Sequence, residues 1–210
     1  KNYRQSVDIK NKKGQVASKY DSELTEEIRR AIDQDDADAQ FNLGIIYTYG
    51  DGVPEDAAEG ARWYHRAAQK DHVIAQYNLG VIYLTGMGVP QRIEEGLKWL
   101  RRAAEQGTTL VQFDLGTIYQ EGRYIPQDDA EAAKWYHWAA KQGDSESQLQ
   151  LGYLYAKGRG VSQDNSEAVK WTYRAAEKGN GKAQHNLGSM YANGRCVSQD
   201  DAEAVKWYRC

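Results

Sequence analysis

The sequence predicts an all-α fold, a solenoid of stacked antiparallel helix pairs, on three observations. A block of residues recurs every 36 positions from Ala39 onward. Its columns hold register without a gap: Leu43, Leu79, Leu115, Leu151 and Leu187, each followed by glycine at 44, 80, 116, 152 and 188. Tyrosine recurs at 47, 83, 119, 155 and 191, and tryptophan at 63, 99, 135, 171 and 207. Within each copy, two stretches of helical apolar spacing flank a glycine-bearing loop. Self-similarity at a fixed period of this length marks an array of supersecondary units, none able to bury its apolar stripe alone. The 210 residues therefore read as one elongated array, with copies at 39–74, 75–110, 111–146 and 147–182 and a truncated copy at 183–210.

Ahead of the copies, residues 1–21 show no sustained period and read as an N-terminal arm. Residues 22–38 are different: Leu24, Ile28, Ala31 and Ile32 form an amphipathic stripe. Shifted by one period, Ala31 and Ile32 fall on Ala67 and Ala68. The segment thus reads as a degenerate half repeat whose helix caps the first face of the array.

Each copy opens with a helix such as Ala75–Tyr83, closed by glycine at 50, 86, 122, 158 or 194. A left-handed residue ending a helix explains that column, because glycine alone takes positive φ without steric cost. A short loop follows, and Asp with Glu three residues on starts the second helix: Asp56/Glu59, Asp128/Glu131, Asp164/Glu167 and Asp200/Glu203. That spacing outlines a capping box, with Asp accepting from a first-turn N–H and Glu reaching back. Arg92 breaks it in the second copy, so that helix is expected to start less firmly. Gly107, Gly143 and Gly179 end the second helices, and Thr108, Asp144 and Asn180 are the expected N-caps of the next first helices.

Composition narrows the functional classes. The chain is 40% hydrophobic and 27% charged with net charge −3, which sets it with folded rather than disordered proteins. Acids and bases are interspersed, so no nucleic-acid or anionic-membrane footprint is visible. No run of 18 apolar residues occurs, so no membrane span is expected. The chain begins at Lys1, which reads as processing or excerpting. Two cysteines, Cys196 and Cys210, lack zinc spacing; they read as free thiols, a local disulfide or an intermolecular bridge.

The repeat resembles the SEL-one-like repeat family, relatives of the tetratricopeptide repeat, through AQxxLGxxYxxGxGVxxDxxEAxKWYxxAAxxG from Ala39 to Cys210. The resemblance implies a right-handed superhelix of helix pairs serving as an adaptor or scaffold in protein complexes. It leaves the compartment open between a bacterial cytoplasm and an exported or periplasmic location. Two copies depart from the pattern: the second loop glycine (Gly52, Gly88, Gly160) is Tyr124 in the third and Cys196 in the fifth, which puts both loop shapes in doubt. Some cysteine-rich relatives are credited with enzyme activity or β-lactam binding, but they carry a cysteine pair per repeat and this chain does not.

No nucleophile, metal-binding or phosphate-binding motif is present, so a non-enzymatic chain with no metal and no cofactor is expected. His65 and His137 share one column two periods apart, roughly 20 Å if each helix layer is about 10 Å thick, too far to share a metal. The tryptophan column reads as core; Trp138, where other copies carry arginine, reads as either local packing or a partner contact. By resemblance, the concave groove is lined by first-helix columns. One is Phe41, Tyr77, Phe113, Leu149 and His185; the next is Asn42, Asn78, Asp114, Gln150 and Asn186. A third, one turn on, holds Ile45, Val81, Thr117, Tyr153 and Ser189, and Leu84 is presented beside them. Aromatic and apolar residues bordered by side-chain amides suit an extended peptide or a partner helix. Packing between repeats is the competing reading for Phe41, Tyr77 and Phe113. Self-association through the C-terminal face is a further expectation.

Overall fold

The computed structural model describes residues 26, 28, 30, 31 and 33–209. The arm at 1–21, Leu24, Ile32 and Cys210 lie outside the described residues. Glu26, Ile28, Arg30, Ala31 and Asp33 are helical. Ten α-helices follow: α1 (Ala37–Tyr49), α2 (Ala57–Gln69), α3 (Val73–Thr85), α4 (Ile93–Glu105), α5 (Thr109–Glu121), α6 (Asp129–Lys141), α7 (Ser145–Lys157), α8 (Asn165–Glu177), α9 (Gly181–Asn193) and α10 (Asp201–Tyr208). Among the described residues there is no strand. The chain forms two compact units that divide between Ala103 and Ala104, within α4.

In the first unit the Leu–Gly column sets the helix pairing. A Cβ at Gly44 would lie 2.4 Å from the Tyr64 ring, and one at Gly60 would lie 2.2 Å from Thr48 Oγ1. These contacts run in opposite senses along α1 and α2, so the pair is antiparallel and close-packed. Gly80 against Leu100 and Gly96 against Leu84 repeat the arrangement in α3 and α4. In the second unit Gly116 faces Tyr136, Gly152 faces Thr172 and Gly188 faces Tyr208, at 2.6, 2.5 and 2.7 Å from the added Cβ. The glycine column is therefore the crossing point of each pair, filled from the second helix by Tyr, Leu or Thr.

Consecutive pairs are joined by a glutamine, buried at 76, 112 and 148 and half-buried at 184. Its Nε2 donates to a last-turn carbonyl of the preceding helix: Gln76 to Ala68 at 3.0 Å, Gln112 to Ala104 at 2.9 Å, Gln148 to Ala140 at 3.0 Å and Gln184 to Ala176 at 3.2 Å. Each of these carbonyls also accepts the backbone N–H three residues on, from Asp71, Gly107, Gly143 or Gly179, so the glutamine takes its second lone pair. Gln40 likewise donates to Ala31 at 3.0 Å. Ala31 thus takes the place of Ala68 rather than Ala67, which puts the half repeat one residue out of register. Ile28 and Ala31 pack against Ala39, Leu43 and Trp63.

The glycines that close the first helices all lie at positive φ, from 61° to 72°. The second-helix ends also turn left-handed, through Gly107, Gly143 and Gly179 but also through Asp35 and Asp71, at 53° and 63°. A carboxylate at these two positions still serves the junction: Asp35 and Asp71 accept from the Nε2 of Gln40 and Gln76. Cys196 takes φ 64°, close to the 78°, 71° and 68° of Gly52, Gly88 and Gly160, so its loop keeps the glycine shape. Tyr124 is not among the described residues with positive φ, so the third copy's loop differs.

Second-helix starts correct one expectation. Asp56, Asp128 and Asp200 each accept from two first-turn N–H groups, and Asp164 accepts from that of Glu167. The glutamates do not reach back. Glu59, Glu131, Glu167 and Glu203 pair instead with Arg62, Lys134, Lys170 and Lys206 three residues on. The cap N–H is already taken by the carbonyl of the invariant tyrosine: Asp56 by Tyr47, Asp128 by Tyr119, Asp164 by Tyr155 and Asp200 by Tyr191. Arg92 donates in the same way to Tyr83, at 2.8 Å. That bond survives the lost Asp, and α4 has 13 residues like α2, α6 and α8. At first-helix starts Asp144 and Asn180 cap through their side chains, whereas Thr108 makes no such bond and His72 caps through Nδ1, 3.1 Å from Ala75 N.

Candidate interaction surface

In the first unit the three first-helix columns are half-buried rather than free. Phe41 stacks on the His72 ring at 4.5 Å and tilts against Tyr64 at 5.8 Å. With Ile45 it packs on the core of Tyr64, Ala67, Ala75 and Leu79. Burial pushes up the pKa of the Tyr64 phenol, and Thr48 and then Asn78 oppose the shift. Asn42, Tyr77 and Val81 are half-buried. Leu84 is a correction: only 2% exposed and set against Gly96, it belongs inside the α3–α4 pair and offers no surface.

In the second unit Phe113 tilts against Tyr136 at 5.7 Å. The Tyr136 hydroxyl donates to Gln120 at 2.8 Å and lies 3.1 Å from Thr117 Oγ1. Burial raises this phenol to about 12. Thr117 also donates to the Phe113 carbonyl, so it is engaged within the unit; Asp114 is half-buried. Further along, the columns open. Leu149 is 7% exposed and forms a floor, while Gln150, Tyr153, His185 and Asn186 stand around it. Together with Gly181 and Lys182 they line a cleft of about 470 Å³ between α7 and α9. His185 also leans on Tyr208 at 5.5 Å. Sequence reasoning missed Lys182; its only signal was a place one helical turn before His185.

The opposite faces carry a ladder that the sequence did not announce. His65 meets Trp99 edge-on at 5.6 Å, His137 meets Trp171 at 5.7 Å, and Tyr173 meets Trp207 at 5.3 Å. Arg66, Arg102 and Arg174 lie over Trp63, Trp99 and Trp171 at 4.5, 5.6 and 4.8 Å. Trp138 replaces that arginine and packs edge-on against Trp135 at 5.0 Å while remaining 47% exposed. The histidine column is thus a packing column between successive second helices. Burial lowers the pKa of His137, Lys141 adds to that effect, and Glu167 opposes it. Among the described residues no group of three or more His, Cys, Asp or Glu is placed to hold a metal, and no helix is long and apolar enough to cross a membrane.

A model of the Sel1 repeat matches five times, at residues 37–72, 73–108, 110–144, 145–180 and 181–210. The chain is similar to a solved Sel1 repeat protein from Oxalobacter formigenes, with 32% identity and a TM-score of 0.82 over 97% of this chain and 57% of that one. It is also similar to c5321, a protective antigen of uropathogenic Escherichia coli with an SLR fold. That match has 39% identity and a TM-score of 0.76, over 86% of this chain and 39% of that one. The chain therefore spans 57% and 39% of the lengths of these two proteins. No curated protein sequence matches it.

Proposed function

The chain belongs to the Sel1-repeat family, and on that footing we propose that it is a scaffold holding an extended segment of a partner protein on its first-helix faces. Sel1-repeat proteins generally act as protein-interaction scaffolds and are typically non-enzymatic. The cleft between α7 and α9 carries the finer reading. Its floor is the apolar Leu149, and its walls offer the side-chain amides of Gln150 and Asn186 beside the rings of Tyr153 and His185. An amide bonds a peptide backbone without reading its side chains, while an apolar floor takes one anchor residue. Tyr77, Asn78 and Val81 occupy the same columns in the first unit and extend the reading to its face, with Phe41, Asn42 and Ile45 as their packed support. Phe113, Asp114 and Thr117 play that supporting part in the second unit.

Peptides selected from a random library on the full chain test this reading. Their affinity is then measured for intact protein, for Gln150→Ala/Asn186→Ala and for Tyr77→Ala, with helicity followed by circular dichroism. The expected result is a loss of about tenfold or more, on the order of 1.4 kcal/mol, in variants that stay helical. Leu79, 0% exposed, is the folding control; Leu79→Ala should cost about 2–5 kcal/mol of stability by cavity formation. Selected peptides that bind all helical variants equally would move the site off the first-helix faces.

A further inference from the structure

We infer that the first unit carries a second binding site, a cleft on the α2 side that takes an acidic peptide segment of a partner protein. The inference is independent of the first-helix faces. A cleft of about 580 Å³ opens between α2 and the loop that precedes α4. Ala61, Val89 and Pro90 form its apolar part, and Arg62, Arg66 and Arg92 line it together with His65. No carboxylate is among its lining residues.

The equivalent cleft in the second unit, three repeats on, measures about 750 Å³ and shows what is special about the first. There Arg62 is replaced by Lys170, His65 by Tyr173 and Gln69 by Glu177. Glu177 lines that cleft and raises the pKa of the Tyr173 phenol, so a carboxylate is already present there. Cleft position and one arginine, Arg66 here and Arg174 there, are therefore properties of the repeat, whereas Arg62, Arg92 and a lining free of carboxylates belong to the first unit.

The arginines are available to a ligand. Arg62 and Arg92 pair with Glu59 and Glu95 at 2.8 and 3.0 Å, both as exposed i,i+3 contacts. Exposed pairs of this kind hold weakly and exchange partners readily. Arg92 also lies over the Tyr83 ring at 5.5 Å, and Arg66 over Trp63 at 4.5 Å, which restrains both side chains. Among the described residues Arg66 forms no ion pair; the Asp35 carboxylate, on which it acts, is held by Lys70.

Spacing favours an extended occupant. Arg62 and Arg66 stand one helical turn apart, roughly 6 Å between Cβ atoms. Alternate residues of an extended chain stand about 6.6 Å apart on one side. An acid–any–acid segment thus meets both arginines, through forks suited to carboxylates. An apolar neighbour then enters the part of the cleft formed by Ala61, Val89 and Pro90.

The test uses the full chain and a short fluorescein-labelled peptide alternating Glu and Val, beside the same peptide with Gln for Glu. Binding is followed by anisotropy for intact protein, for Arg62→Gln/Arg66→Gln and for Lys170→Gln/Arg174→Gln, with helicity checked by circular dichroism. The expected result is binding of the Glu peptide alone, weakened about tenfold or more by the first variant, left unchanged by the second and reduced by salt. A photo-crosslinking version of the peptide on intact protein should label residues 61–66 or 89–92, a readout independent of the variants. Equal binding of both peptides, equal loss in both variants, or crosslinks elsewhere would overturn the proposal. So would arginine-dependent binding of single-stranded DNA or of phosphatidylserine vesicles without binding of the peptide. Failure of the first-helix-face variants described above leaves this result untouched.

Discussion

At the residue scale, the glycine that follows each invariant leucine is a contact requirement. A side chain at Gly116 would meet the Tyr136 ring at 2.6 Å. Gly116→Ala should therefore cost about 1–3 kcal/mol, read from urea unfolding, because overpacking forces the ring or the helix to shift. Combined with Tyr136→Ala it should cost less than the sum of the two single changes, the signature of residues in contact. His137 gives a pH-dependent prediction. Burial makes the folded protein hold its proton less firmly than the unfolded chain, whose histidine titrates near 6.5. The unfolded state binds more protons as the pH falls through about 6.5, so stability is lost there and regained as the pH rises. His137→Tyr keeps an edge contact of the kind Tyr173 makes with Trp207 and removes that titration. The drop in melting temperature between about pH 7.5 and 5.5 should shrink in the variant; an unchanged drop would assign the acid sensitivity to other groups.

At the element scale, the second helices start on an aspartate alone. Asp128→Ala should cost about 1 kcal/mol by freeing the N–H groups of Ala130 and Glu131. Glu131→Ala should leave the unfolding midpoint nearly unchanged, since Glu131 pairs with exposed Lys134 and makes no cap bond. A capping box would make the two losses comparable. The Asp–x–x–Glu spacing was legible in the sequence, but the competitor was not. Only the fold brings the Tyr119 carbonyl to the Asp128 N–H, at 2.9 Å. The same limit explains Leu84, whose place beside the apolar columns suggested a surface until Gly96 was seen opposite it. It explains the buried glutamine too: a polar residue in an apolar run reads as solvent-facing until a carbonyl 8 residues earlier in the chain proves to be its partner. Periodicity, loops and glycine ends follow from local physics and were readable; partners contributed by another helix were not.

At the scale of the whole molecule, the two units hold separate buried clusters. Leu187, with Leu149, Ala175, Ala176, Ala183 and Trp207, forms one in the second unit. Leu79, with Tyr64, Ala67, Ala75 and Ile82, forms one in the first. Arrays of this kind are stabilised mainly between nearest neighbours. Leu187→Ala should thus lower hydrogen-exchange protection in α7 to α10 while α1 to α3 keep theirs; uniform loss across both units would show that they unfold together.

The glutamine at each joint has an evolutionary consequence. A copied stretch of DNA encoding one repeat arrives with both halves of its own fastening: a glutamine that completes the helix behind it, and an alanine carbonyl that receives the glutamine ahead. Such a cassette carries the same fastening to whichever joint receives it. A chain that gains or loses one whole repeat by unequal crossing-over should therefore keep a fastening at every joint.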